Sequence, residues 1–241
     1  MKWFAPEVQT ALPDDEVSTV RYLGPSPNPH FADAVDNLHP QAFMVELGEG
    51  FGKLDTHFHS VDQFQLFVGG AAKFGPHQVS PRALHYADRL QPYGPLIPAE
   101  GGISFLTLRA KSDTSTFYMP IERETLKEYF ELVPEASKSR RSMTMELDEI
   151  AVERDGTWFS HIEDEDGLRI AICESGPGQV IETLRPGSAG GYLVLLGGDL
   201  VDGDLHRSGS FAFVGRGHAV EGLTAARDGA RMVYFGFPSR A

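Results

Sequence analysis

From Phe43 onward the chain alternates short apolar runs with turn-forming residues. The early runs are Phe43–Leu47, Leu54–Phe58, Gln63–Val68, Ala83–Tyr86 and Ile103–Leu108. The later ones are Trp158–Ile162, Leu168–Cys173, Val180–Leu184, Tyr192–Leu196, Phe211–Val214 and Met232–Phe237. Each has the length of a strand and is punctuated by Gly, Pro, Asp or Asn, which predicts an all-β chain of many short strands. Gly69-Gly70 follows Gln63–Val68 and reads as a hairpin turn. Gly197-Gly198 follows Tyr192–Leu196 in the same way. The two copies predict a long internal repeat, best met by two tandem β-barrels of about six to eight strands each.

One segment breaks the rhythm. In Ile121–Val133 the apolar residues Ile121, Leu126, Tyr129, Phe130 and Val133 fall near helical spacing. Pro120 suits the first helical position and Pro134 ends the helix. Glu135–Ser142 then reads as a linker, which places one domain at 1–137 and a second at 138–241. Residues 1–40, rich in Pro, Asp and Asn, read as an arm or loop with one or two edge strands.

A length of 241 residues accommodates two domains of that size. The net charge of −13 argues against nucleic acid and anionic membrane as partners. Lys138, Arg140 and Arg141 form a small basic cluster that reads as solvated linker. The single cysteine, Cys173, excludes an internal disulfide framework. It sits in an apolar run and reads as a small buried hydrophobe rather than a nucleophile. The first residues show no apolar signal region, and no run approaches the ~20 apolar residues of a membrane span. The expectation is a cytoplasmic protein.

The informative stretch is Gly52–Gly70. On a strand, residues i and i+2 share a face, so His57 and His59 project side by side. Neutral imidazoles so placed share one metal at distances of ~2.1 Å. Three residues after the second histidine the chain can turn and set Gln63 on the neighbouring strand. The chain has nine histidines, so H-x-H alone carries little; the spacing to Gln63 and Gly70 carries the rest.

This segment resembles the first motif of the cupin superfamily, G-x5-H-x-H-x3–4-E-x6-G, through His57-x-His59-x3-Gln63-x6-Gly70. It departs twice: Gly52 is one residue too close to His57, and Gln63 replaces the usual Glu. Pro92–Ile97 resembles the turn of the second motif, with Ile97 where a third histidine normally stands; in another register Tyr93 falls there. The resemblance therefore calls for a substitute ligand, His85 first and His77 second. In the second half Gly215-Arg216-Gly217-His218 resembles the second motif loosely and no H-x-H occurs, which implies a degenerate, metal-free copy.

The fold implied is two tandem cupin-like jelly-roll barrels with a short helix between them. The cofactor implied is one divalent metal, Fe, Mn, Ni or Zn, at His57, His59, Gln63 and His85 or His77. Two imidazoles and an amide leave the metal charge uncancelled, which lowers affinity and leaves open positions for an anionic substrate. Asp55 lies two residues before His57 and reads either as a base at the site or as a solvated rim carboxylate. Gln65 and Phe67 share the face of Gln63. Tyr86 or Tyr93, Phe105 or Leu106, and Arg109 close the cavity, with Arg109 suited to clamp a carboxylate. Tyr93 and Arg109 join Asp55 as catalytic candidates. The resemblance implies an enzyme acting on a small organic acid or phenolic compound, an Fe(II) dioxygenase first and an isomerase or lyase next. The alternative is a non-catalytic small-ligand binder or sensor. It also implies a homodimer, since edge strands need covering. Other patterns fail: Gly48-x-Gly50-x-Gly52-Lys53 is neither a dinucleotide fingerprint nor a P-loop, and Gly187-Ser188-Ala189-Gly190 lacks the nucleophile-elbow spacing.

Overall fold

The computed structural model describes residues 1–6, 16–25, 39–138 and 141–239. Parts of the expected arm, and Arg140 of the basic cluster, lie outside the described residues. Two compact units are present: Val8–Leu147, and Asp148–Ala241 taken with Met1–Glu7. Both are antiparallel β structures.

The chain opens with β1 (Trp3–Phe4), a strand of the second unit. The first unit then runs β2 (Val17–Leu23), β3 (Gln41–Leu47), β4 (His57–Phe58), β5 (Gln63–Phe74), β6 (His77–Val79) and β7 (Ala83–Ala87). It continues through β8 (Leu96–Arg109), β9 (Phe117–Tyr118), the helix α1 (Arg123–Leu132) and β10 (Ser142–Glu146). Its main sheet has the order β10-β7-β5-β8-β3-β2, with β6 paired to β5; β4 and β9 form a small second sheet. Bridges from Leu54 to Leu96 and from His57 to Tyr93 extend that smaller face. Leu47, Phe67, Phe74, Tyr93, Leu96 and Phe105 pack as the interior core.

Gly69-Gly70 is no hairpin turn. β5 runs straight through it, with register shifts on either side of the pair. Gly70 has φ +69, and a Cβ there would overlap the carbonyl oxygen of Gly102. The glycine is needed for a bulge and a close backbone approach. The helix begins at Arg123, later than expected, and Pro134 follows its end. Leu126 is its buried anchor, packed with Phe58, Leu90 and Ala136.

A strand begins at Ser142, the last residue of the expected linker. β10 pairs along its whole length with β7, and the first compact unit runs to Leu147. No residue of β10 is fully buried. Ser142-Met143-Thr144-Met145-Glu146 does alternate polar and apolar residues, but over only five residues directly after the basic cluster.

The second unit carries β11 (Asp155–Glu163), β12 (Arg169–Ser175), β13 (Gly191–Val201), β14 (Leu205–Arg207), β15 (Phe211–Val214) and β16 (Thr224–Gly236). Its sheet order, β1-β15-β13-β16-β12-β11 with β14 on β13, repeats the main sheet of the first unit strand for strand. Gly198 stands where Gly70 stands: its φ is +71, it lies between two register shifts, and a Cβ would overlap the Gly229 carbonyl oxygen. Val180–Leu184 forms only isolated bridges, Val180 to Thr224 and Leu184 to Val220.

Candidate metal centre

In the first barrel β4, β5, β8 and the loop after β8 converge on a cavity of about 120 Å³. Its wall includes His57, His59, Gln63, Gln65, Tyr93, Thr107 and Arg109, with apolar contributions from Phe43, Val45, Leu54 and Phe105. The open question of which side of β8 faces inward is answered by Phe105, Thr107 and Arg109.

His57 and His59 are buried, and their rings meet edge to face at 5.3 Å. Each Nδ1 is spoken for by a main-chain carbonyl: Asp55 O at 2.7 Å for His57 and Ser115 O at 2.6 Å for His59. A carbonyl accepts only, so each Nδ1 carries the hydrogen and each Nε2 keeps its lone pair. Burial, then the neighbouring His59, lowers the His57 pKa to about 3. Burial and then the Arg109 charge lower that of His59 as well. Both rings are neutral donors at neutral pH.

Gln63 sits on the same wall. Its Oε1 accepts from Arg109 Nε at 3.1 Å and Nη2 at 2.9 Å, and its Nε2 donates to Tyr93 Oη. Arg109 Nη1 donates to Gln41 Oε1 at 3.0 Å and to Asp113 O at 2.7 Å. The Asp113 carboxylate accepts from Ser60 N and Ser115 N, both at 2.9 Å, and lies 3.5 Å from His59 Nδ1. Burial pushes the Asp113 pKa up, but the His59 contact and the Arg109 charge outweigh it, and the carboxyl is held well below its usual range. Burial raises the Tyr93 hydroxyl above its ordinary value.

The structure thus brings together His57, His59, Gln63, Tyr93 and Arg109. It does not bring in the others. His77 is exposed on β6. His85 is buried on β7 beside Gln65; its Nδ1 bonds Thr144 Oγ1 at 3.0 Å, its ring packs on Phe74 and Tyr93, its buried Nε2 has no hydrogen-bond partner among the described residues, and it does not line the cavity. The Asp55 side chain is 54% exposed and pairs with Lys53; its contribution to the site is its carbonyl. The sequence reading missed Gln41, Asp113 and Ser115. Gln41 is the cross-strand partner of Arg109, a register no motif encodes. The polar run Ser112-Asp113-Thr114-Ser115 was the available signal for the other two, as an Asx turn.

The second barrel is filled where the first is hollow. By register, Leu193 and Tyr234 replace Gln65 and Thr107, and Gly191 and Gly236 replace Gln63 and Arg109. Leu193, Leu195, Met232 and Tyr234 close the interior. Cys173 is buried there with its thiol pushed up to about 12 by burial, an inert group.

Among the described residues no group of three His, Cys, Asp or Glu side chains converges as a metal cage. The chemistry of the donor set still fits a metal at two imidazoles: neighbouring Nε2 lone pairs, fixed tautomers and neutral rings are what a histidine-held metal requires. Further protein donors must come from the neutral side chains of the same wall. No helix among the described residues is long and apolar enough to cross a membrane.

No protein-family profile matches the chain, and no curated protein matches it in sequence. Solved structures match its fold. The oxalate decarboxylase of Lactobacillus farciminis, solved as a formate complex, is 13% identical over 99% of this chain and 87% of its own, with a TM-score of 0.59. A cupin 2 conserved barrel domain protein from Leptotrichia buccalis is 10% identical over 93% of this chain and 90% of its own, with a TM-score of 0.54. The pirin YhhW of Escherichia coli, solved with nickel(II), is 8% identical over 92% and 93%, with a TM-score of 0.53.

Proposed function

We propose that this chain, which has the cupin fold, binds a divalent metal ion in its first barrel through His57 and His59 and uses it on a small organic acid. One observation carries the reading: two adjacent neutral imidazoles have their Nδ1–H groups fixed on carbonyls and their Nε2 lone pairs left for the cavity. When bound, the metal supplies Lewis-acid polarisation of a substrate oxygen.

The rest falls to the chain. Arg109, 2% exposed, lines the cavity with its charge opposed by the Asp113 carboxylate on the same wall, so an anionic ligand would be drawn chiefly by the metal. Thr107 offers a hydroxyl on the same wall, while Phe43, Val45, Leu54 and Phe105 exclude water. At about 120 Å³ the cavity suits a small acid better than a phenolic ring. Oxidation by dioxygen, isomerisation and lyase chemistry all need open metal positions, and a site with few protein donors leaves them.

A second reading, a non-catalytic ligand pocket, is favoured by Gln63, whose amide oxygen is already held by Arg109. Element-resolved metal analysis of anaerobically purified protein, repeated on the His57→Ala/His59→Ala double variant, separates the two. Near-stoichiometric metal that disappears in the variant supports the metal site. Absence of metal and of uptake on reconstitution leaves the ligand pocket.

A further inference from the structure

The polar wall of the cavity is wired in one direction, and the wiring distinguishes its possible metal donors. Arg109 presents Nε and Nη2 to the single oxygen of Gln63, at 3.1 and 2.9 Å. Both bonds are charge-assisted, and a guanidinium has no neutral form to relax into. For Gln63 to bind a cation through Oε1, both bonds must be surrendered next to a fixed positive charge. The other end of the amide, Nε2, has no lone pair to give and is turned onto Tyr93 Oη.

Tyr93 is placed differently. Its backbone is bonded to that of His57 in both directions, His57 N to Tyr93 O at 3.1 Å and Tyr93 N to His57 O at 3.0 Å. Its ring meets that of His57 at 4.6 Å and lies 6.3 Å from that of His59. The oxygen accepts one hydrogen from Gln63 and keeps a second lone pair.

We propose that Tyr93, rather than Gln63, is the third protein donor to a metal held by His57 and His59, with Gln63 as the positioning residue that bonds its oxygen. The inference rests on the metal reading above. As the metal binds, the phenolic O–H bond breaks, the proton leaves to solvent and the oxygen's electron pair goes to the metal. The Gln63 N–H bond then acts on a charged acceptor and strengthens. Arg109 holds the amide in the one orientation that allows this.

Cu(II) is the probe, read by visible absorption and by affinity. Wild-type protein binds Cu(II) with a phenolate-to-copper charge-transfer band. Tyr93→Phe keeps the fold, loses the band and binds Cu(II) on the order of tenfold more weakly. Gln63→Met keeps the band and shifts its energy, because the phenolate has lost a hydrogen bond. Copper bound by wild type without a band, or with an affinity that Tyr93→Phe leaves unchanged, overturns the assignment of Tyr93 while the two-histidine site stands. No binding by wild type, or equal binding by the His57→Ala/His59→Ala variant, overturns the metal site and this inference together.

Discussion

Arg109 grips Gln63 with two nitrogens on one oxygen, at 3.1 and 2.9 Å, and reaches Gln41 and the Asp113 carbonyl with a third. A single buried cation thus ties β3, β5 and the loop after β8 around the cavity. Lysine has no planar fork and serves only one of these acceptors well. Arg109→Lys is expected to lower stability by roughly 2–4 kcal/mol, since hydrogen bonds to a charged group contribute about 1.5–3 kcal/mol each and buried acceptors are left short. Urea unfolding measures it; an unchanged midpoint contradicts the bracing role.

The buried histidines give the metal-free protein a pH dependence on the acid side. His57 and His85 each have a folded pKa lowered from 6.5 to about 3 by burial. Above pH 6.5 both states hold the rings neutral and nothing changes. Between 6.5 and about 3 the unfolded chain binds protons that the folded one does not, so stability falls as pH falls. Each histidine contributes a slope of roughly 1 kcal/mol per pH unit in that window. Unfolding midpoints at pH 7, 6 and 5 read the slope, and His85→Phe flattens it by one proton's share.

Gly70 and Gly198 are expected to be the least replaceable residues of their strands. Both have φ near +70, and each would drive a Cβ into a carbonyl oxygen of the neighbouring strand. Gly70→Ala and Gly198→Ala combine positive-φ strain with a backbone overlap and cost more than about 3 kcal/mol each. Soluble yield and melting temperature report this; a melt within a degree or two of wild type refutes it.

The core strands and the H-x-H pair were legible in the sequence because strands buried on both faces read as short apolar runs between turn residues, and because two histidines two residues apart stand out. The failures have a common physical origin. Gly69-Gly70 resembles a turn, since a bulge at a close strand approach demands the same positive φ as a hairpin. β10 escapes notice although Met143 and Met145 alternate with Ser142, Thr144 and Glu146, because the run is short and adjoins a segment that reads as linker. His85 is the cross-strand partner of Gln65, yet its Nδ1 bonds Thr144 and its ring packs on Phe74 and Tyr93, contacts set by three-strand register that residue type alone does not show. Arg109 lines the cavity, but its partners Gln41 and Gln63 are set by register across three strands, which spacing along one strand cannot reveal.

Removing residues 1–6 is expected to weaken the second barrel and spare the first. β1 pairs with β15, Trp3 Nε1 donates to Asp202 Oδ2 at 2.7 Å, and the Trp3 ring stacks on His206 at 4.6 Å. Loss of these contacts lowers stability by about 2–3 kcal/mol. Hydrogen exchange, followed strand by strand, checks it: β15 and β13 lose protection, whereas β5 and β7 keep theirs. Uniform loss across both barrels counts against the assignment of β1.

The pairing of β1 with β15 also sets an order of assembly on the ribosome. The first barrel has all its strands once Glu146 has emerged, because β10 closes the β7 edge. The second cannot close until Val214 and β16 are made, although its outer strand has been waiting since Trp3. Pairings so distant in sequence form slowly, and domains fold as units from the N-terminal side. Vectorial synthesis therefore completes the chemically equipped barrel first, while the inert one is still being translated.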